Sequence, residues 1–256
     1  MSGVFDAYGR YYDLLYADKD YAGEAAYLAA RIQELAPQAR TILELGCGTG
    51  AHAEHLVRMG YSVHGIDMSD TMLERAQERS ARLPADFRDR LDFSRGNVRD
   101  VRKAQAYDIV VSLFHVMSYQ ETNAEVEAVF RTAAAHLHSG GLFLFDFWYG
   151  PAVLTQRPEV KVKRLEDDDV RIVRIAEPVV HQDRNVVDVN YSMIVERKAN
   201  GTMQWLNERH RMRYFFLPEL ERYRAGLFDE RSTSSWMSSE VPDTSSWAAM
   251  QVLSRI

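Results

Sequence analysis

The stretch Leu43-Glu44-Leu45-Gly46-Cys47-Gly48-Thr49-Gly50 places three glycines at alternate positions directly behind an apolar run. Glycine lets backbone approach a ligand where a side chain would obstruct it, and it tolerates positive φ. With Ala51 in the last place, the loop also satisfies the Gly-x-Gly-x-x-Gly/Ala dinucleotide fingerprint. That match alone leaves the cofactor open. Glu44 stands two residues ahead of the first glycine, where an acid suits a cationic, non-phosphorylated ligand better than a pyrophosphate. Asp67 ends the next apolar run and is placed to accept hydrogen bonds from both hydroxyls of a ribose, unless it only caps the following helix. In Gly96-Asn97-Val98 an amide side chain can address an adenine amino group and ring nitrogen, although ordinary turn chemistry would serve equally.

A second group of residues could act on an acceptor. His115 follows Ser112-Leu113-Phe114, and an unperturbed imidazole titrates near ~6.5, so it could take a proton from an amine or hydroxyl. Its structural reading is a hydrogen-bonded histidine that shapes a turn. Trp148 and Tyr149 could stack on a sugar or base, or fill core. Arg174, Arg211 and Arg213 lie in β-rich sequence; a guanidinium fork suits a diphosphate, and solvated strand faces also collect arginine. Tyr8, Tyr12 and Tyr16 share helical i, i+4 spacing, as packing or as a lid. Cys47, the single cysteine, reads as buried filler in the glycine loop; one cysteine forms no internal disulfide and no zinc cage, so no metal is expected.

These residues need a scaffold. Segments that read as strands at Thr41–Leu45, Tyr61–Ile66, Leu91–Arg95, Tyr107–Leu113 and Leu142–Phe147 alternate with helical patterns at 21–35, 51–58, 70–82 and 123–137. That alternation predicts an α/β fold: a doubly wound, mostly parallel, seven-stranded sheet with right-handed crossovers. After Pro151 the pattern changes to strands at 170–175, 186–196 and 203–216, divided by turn signals, and then a helix at 218–227. The expected division is a cofactor-binding core at 1–157, an antiparallel β insertion for the substrate at 158–216, and C-terminal elements at 217–256 that complete the sheet. The chain of 256 residues carries a net charge of -6, which argues against holding a nucleic-acid backbone by charge. No secretory signal or membrane-spanning run is seen, so a cytoplasmic setting is expected. A homodimer is left open.

Glu44-x-Gly-x-Gly-x-Gly50, Asp67-Met68, Gly96-Asn97-Val98 and Ser112-Leu113-Phe114, in that order, resemble the class I S-adenosylmethionine-dependent methyltransferases. The resemblance implies S-adenosylmethionine as cofactor, with Gly46, Gly48 and Gly50 along its methionine part. It further implies Asp67 and Met68 at the ribose, Asn97 and Val98 at adenine, and Leu113 beneath the sulfonium. The adenine position is more often Asp in this superfamily; Asn97 departs from that. Tyr12-Asp13-Leu14, Trp148-Tyr149 and Glu208-x-His210-Arg211 make the chain similar to bacterial N-methyltransferases of nucleotide-linked amino sugars. In that family a tyrosine near the N-terminus lies by the reacting amine, with Tyr8 and Tyr12 in its place here. A histidine after strand four is typical there; Tyr119 holds that register, with His115 four residues earlier. The resemblance therefore implies methyl transfer to an amine, with His115, Tyr8 and Tyr119 at the chemistry and Trp148, Tyr149, Arg174, Glu208 and Arg211 around the acceptor. O-methylation of a sugar or small metabolite is the alternative inside the class. A nicotinamide-dependent oxidoreductase is the alternative outside it.

Overall fold

A computed structural model describes residues 9–256, so Tyr8 lies outside the described residues. The strands are β1 (Thr41–Leu45), β2 (Ser62–Asp67), β3 (Leu91–Arg95), β4 (Tyr107–Ser112), β5 (Leu137–Tyr149), β6 (Lys161–Glu166), β7 (Val170–His181), β8 (Val186–Arg197), β9 (Met203–Phe215), β10 (Phe228–Ser235) and β11 (Ala248–Arg255). The helices are α1 (Tyr12–Leu15), α2 (Tyr21–Leu35), α3 (Ala51–Arg58), α4 (Asp70–Ala81), α5 (Ala85–Arg88), α6 (Asn123–Ala135), α7 (Gly150–Gln156) and α8 (Leu217–Arg224).

Strands β3-β2-β1-β4-β5 pair in parallel, and β11 joins β5 antiparallel, with β10 outside it. Parallel strands buried on both faces must be apolar throughout. Accordingly Ile42 packs into one core beneath α2 and α3, and its neighbours Leu43 and Leu45 pack into another with Val126 and Phe130 of α6. The second core is aromatic, with Phe143, Phe145, Phe147, Phe215 and Phe228 all at or below 2% exposure. Helix α4 starts where Ser69 accepts from the Met72 amide, and α6 starts with a full capping box between Thr122 and Glu125.

The antiparallel strands β6–β9 form an extension hung on the core. Trp148 pairs with Ala248 of β11 on one edge and with Tyr214 of β9 on the other. The second edge is the one β4 occupies lower down, ending at Ser112 opposite Phe145. The extension therefore enters the sheet just beyond the C-terminal end of β4. In an open α/β sheet, that end is where ligands bind.

The structure differs from the sequence reading in several elements, β6 and α5 among them. Strand β5 begins at Leu137, because Ser139-Gly140-Gly141 is accommodated within it at a register shift opposite Tyr107 and Ile109. Strand β7 runs on to His181, beyond the expected end at 175. Helix α7 follows Tyr149 directly, with Pro151 in its first turn. Strand β10 lies in sequence without apolar alternation. No helix among the described residues is long and apolar enough to cross a membrane.

Candidate active site

The glycine loop joins β1 to α3. Gly46, Gly48 and Gly50 have φ of 80°, 53° and 73°. At Gly46 an added Cβ would meet Val116 at 2.6 Å, and at Gly50 it would meet Phe93 at the same distance. At Gly48 it would meet nothing within 4 Å, so that residue presents bare backbone to open space. Two glycines thus serve close packing, and the middle one leaves room for a ligand.

Two acids flank this opening. Glu44 is 1% exposed, and its Oε2 has no hydrogen-bond partner among the described residues. Burial, then the nearby charge of Asp67, pushes its pKa up to about 8. His52 Nδ1 stands 3.8 Å from Glu44, beyond hydrogen-bond range, while His52 Nε2 is 2.7 Å from Glu24. Asp67 accepts from the Gly48 amide at 2.9 Å and from the Ser69 amide at 2.9 Å. Burial raises its pKa, against the pull of these amides. Met68 is 59% exposed beside it. Asn97 Oδ1 accepts from the Arg99 amide at 3.1 Å, and Val98 packs at the margin of the aromatic core.

Beyond Leu113, which is 2% exposed, the chain makes a strained turn. Phe114 and His115 both adopt positive φ, 58° and 65°. Such backbone costs of order 1–3 kcal/mol per residue and needs surrounding restraint. Asp146 of β5, 1% exposed, supplies it. Both its oxygens accept from the His115 amide, at 3.0 and 3.1 Å, and its Oδ2 lies 2.6 Å from the His115 ring Nδ1. Sequence reasoning missed Asp146, though a lone acid inside Phe143-Leu144-Phe145-Asp146-Phe147 was the available signal.

The N-terminal tyrosines pack over this turn. Tyr16 meets the Phe114 ring edge-on at 5.0 Å, and Tyr12 packs on Tyr16 at 4.8 Å. Asp13 ties the same segment to the glycine loop, accepting from the Thr49 hydroxyl at 2.8 Å and pairing with Arg79 at 3.1 Å. The turn Val116–Tyr119 then carries Tyr119 to the extension, where its hydroxyl is 2.7 Å from His210 Nδ1. His210 Nε2 is 3.1 Å from Glu208 Oε2. Trp148 packs near both His115 and Tyr119, and its Nε1–H is buried without a hydrogen-bond partner among the described residues. Tyr149 is half-buried beside it, against the aromatic core.

The arginines behave differently from their expected role. Arg211 is held bidentately by Asp188 at 2.6 and 2.9 Å, so its fork is taken within the chain and offers no open face to a diphosphate. Arg213 is 6% exposed and donates to Asn123 and Tyr223. Arg174 lies over the rings of Tyr191 and Tyr16, at 5.1 and 5.6 Å, and the Tyr191 ring in turn meets His210 edge-on at 4.9 Å.

A buried acid with an orphaned oxygen, a second acid hydrogen-bonded to the glycine loop and an open backbone face suit a ligand with an ammonium and a ribose. Residues 42–141 match a family model described as a methyltransferase domain. This part of the chain is a methyltransferase domain. The chain is 29% identical over 184 residues to a dTDP-3-amino-3,4,6-trideoxy-alpha-D-glucopyranose N,N-dimethyltransferase of Streptomyces venezuelae, covering 71% of this chain and 74% of the relative. It is 28% identical over 213 residues to a dTDP-3-amino-3,6-dideoxy-alpha-D-glucopyranose N,N-dimethyltransferase of Streptomyces fradiae, covering 82% and 79%. In fold it matches the crystal structure of an S-adenosylmethionine-dependent methyltransferase from Clostridium acetobutylicum, with a TM-score of 0.80 at 19% identity and 99% of both chains covered. The methyltransferase fold and its cofactor, S-adenosylmethionine, agree with the resemblance read in the sequence.

Proposed function

We propose that the protein methylates the amine of a nucleotide-linked amino sugar. The observation that carries this reading is the reach of the sequence match. The Streptomyces fradiae relative aligns over 82% of the chain, well past the methyltransferase domain and so into the extension that stands over the sheet edge. Residues 1–157 are read as the cofactor half, 158–216 as the acceptor-binding extension, and 217–256 as the closing elements of the core sheet.

When bound, S-adenosylmethionine supplies a methyl group on a positively charged sulfur. The chain must hold the acceptor in line and keep water out. Glu44 fits the cofactor's ammonium, Asp67 its ribose hydroxyls, Gly46, Gly48 and Gly50 its amino-acid arm, and Asn97 and Val98 its adenine. Trp148 and Tyr149 are assigned to the acceptor sugar, with its nucleotide passing along the extension near Arg174. Tyr12 and Tyr16 are assigned to a lid over the same space.

An ammonium has no lone pair, so a proton must leave before the nitrogen can attack. Asp146 accepts from the His115 amide with both oxygens and lies against its ring, where Nδ1 makes no hydrogen bond among the described residues, which fits a residue that holds the strained turn. The proton route is therefore assigned to Tyr119. The buried, unpaired Cys47 agrees with a reducing, cytoplasmic setting. A cofactor-consumption assay should show methylation of a nucleotide-linked amino sugar, at least about tenfold better in kcat/KM than the free amino sugar or the hydroxyl analogue. Equal kcat/KM for the free sugar would remove the nucleotide from the proposal, and preference for the hydroxyl analogue would remove the amine.

A further inference from the structure

Three ionisable side chains from two parts of the fold form one buried chain. Tyr119 comes from the turn behind β4, and His210 and Glu208 from β9 of the extension. The contacts are Tyr119 Oη to His210 Nδ1 at 2.7 Å and His210 Nε2 to Glu208 Oε2 at 3.1 Å. The His210 and Glu208 side chains are 4% and 6% exposed. Tyr191 of β8 closes the group, its ring edge-on to His210 at 4.9 Å.

The direction of these bonds follows from the chemistry of the groups. An ionised carboxylate only accepts, so His210 Nε2 must carry the hydrogen that faces Glu208. In a neutral imidazole Nδ1 is then bare and must accept. The Tyr119 hydroxyl is therefore the donor, and as a hydroxyl its oxygen keeps the capacity to accept a hydrogen as well. We propose that Tyr119, His210 and Glu208 are a proton relay that takes the proton from the acceptor's ammonium. This rests on the amine-methylation reading above.

The step balances as a concerted transfer. The ammonium N–H proton passes to Tyr119 Oη, and the original hydroxyl hydrogen of Tyr119 passes to His210 Nδ1. The nitrogen keeps the bonding pair and becomes a neutral amine, and His210 becomes an imidazolium held by Glu208. Tyr119 is a phenol before and after. Burial, then Tyr16, Tyr191 and Glu208 around it, raises the pKa of its hydroxyl well above the ordinary value, which suits a carrier that never stands as a phenolate. His210 returns its proton to water through the same hydroxyl after product release. Glu208 is a positioning residue, because it fixes the tautomer without touching the acceptor.

The test is made on the full chain with a nucleotide-linked amino sugar, for Tyr119→Phe, His210→Gln and Glu208→Gln. At pH 7 each of the first two should lose about 10²-fold or more in kcat, the range of general base catalysis, with acceptor KM little changed. The loss should shrink as pH rises past the amine's own pKa, about 8 for an ordinary amino group, because a free amine needs no relay. The ionisable groups that could bend this profile are Glu208 on the same strand, Tyr191 on β8, Tyr119, and Tyr16 and Arg174 packed on Tyr191. A loss that stays constant with pH would show a structural role and overturn the relay. Nitrogen-15 NMR of labelled histidine gives a readout independent of turnover. In the ligand-free protein His210 should carry its hydrogen on Nε2, and Glu208→Gln should weaken that preference. Hydrogen on Nδ1 in the wild type would sink the proposal. Wild-type protein that transfers no methyl to any amine would instead refute the reading of function.

Discussion

Glu44 is the group whose protonation should change most when cofactor binds. Its pKa of about 8 leaves the carboxyl about 0.9 protonated at pH 7 in the ligand-free protein. An ammonium placed against it would return it to the ordinary carboxylate range. Binding should then release about 0.9 of a proton from Glu44 at pH 7 and about 0.1 at pH 9. Calorimetry of S-adenosylhomocysteine binding, in two buffers of different ionisation enthalpy, counts those protons. The ligand's own amino group titrates near ~8, so the diagnostic quantity is wild type minus Glu44→Gln. The same acid has a cost in stability. Its folded pKa is raised above the unfolded value, so the penalty is absent below about pH 4.5, grows as pH rises, and is complete above about pH 8. The interval corresponds to roughly 5 kcal/mol. Urea unfolding of ligand-free Glu44→Gln should show a flatter fall in stability with pH than wild type. Equal proton counts in the two proteins, with parallel stability curves, would refute the reasoning.

Two further outcomes are expected. Asp67→Ala removes an acceptor that already holds the Gly48 and Ser69 amides and should weaken S-adenosylhomocysteine binding by roughly 1.5–3 kcal/mol; unchanged affinity by titration in a folded variant would take Asp67 out of the site. His115→Ala should lower kcat less than about tenfold, because the proton leaves by another route; a loss in the 10²–10⁴ range would return the role of base to His115.

The parallel core was legible because its signals are local. Thr41–Leu45 is a short apolar run and Leu91–Arg95 alternates Leu91 and Phe93 with polar residues, and the structure gives strands over the same residues. Glu44, the glycines and Asp67 could be singled out because strand, loop and strand end follow one another in the chain. Strand β10 was not legible, because Phe228-Asp-Glu-Arg-Ser-Thr-Ser-Ser has one large apolar residue and pairs only with β11. The pairing of Asp146 with His115 joins residues from two strands, and no periodicity in either strand announces it. The bond from Arg211 to Asp188 was not legible for the same reason. Asp188 stands directly opposite Arg211 on β8, a fact of register rather than of sequence.

Register also decides which residues of the extension can reach the acceptor. Successive residues of a strand face opposite sides, so Glu208 and His210 share one face of β9 and Arg211 takes the other. On the first face His210 meets Tyr119; on the second Arg211 meets Asp188. The phase is fixed at two ends. Val189 stands opposite His210 within the ladder, and Tyr214 and Phe215 lock onto Trp148 and Tyr149 of the core. A one-residue slip would turn the whole set over, bringing Arg211 toward Tyr119 and carrying His210 away from it. Repulsion between the guanidinium and an incoming ammonium would then oppose binding of the acceptor. The short parallel joint between β5 and β9 is therefore more than an attachment, since it sets which chemistry the extension presents at the sheet edge.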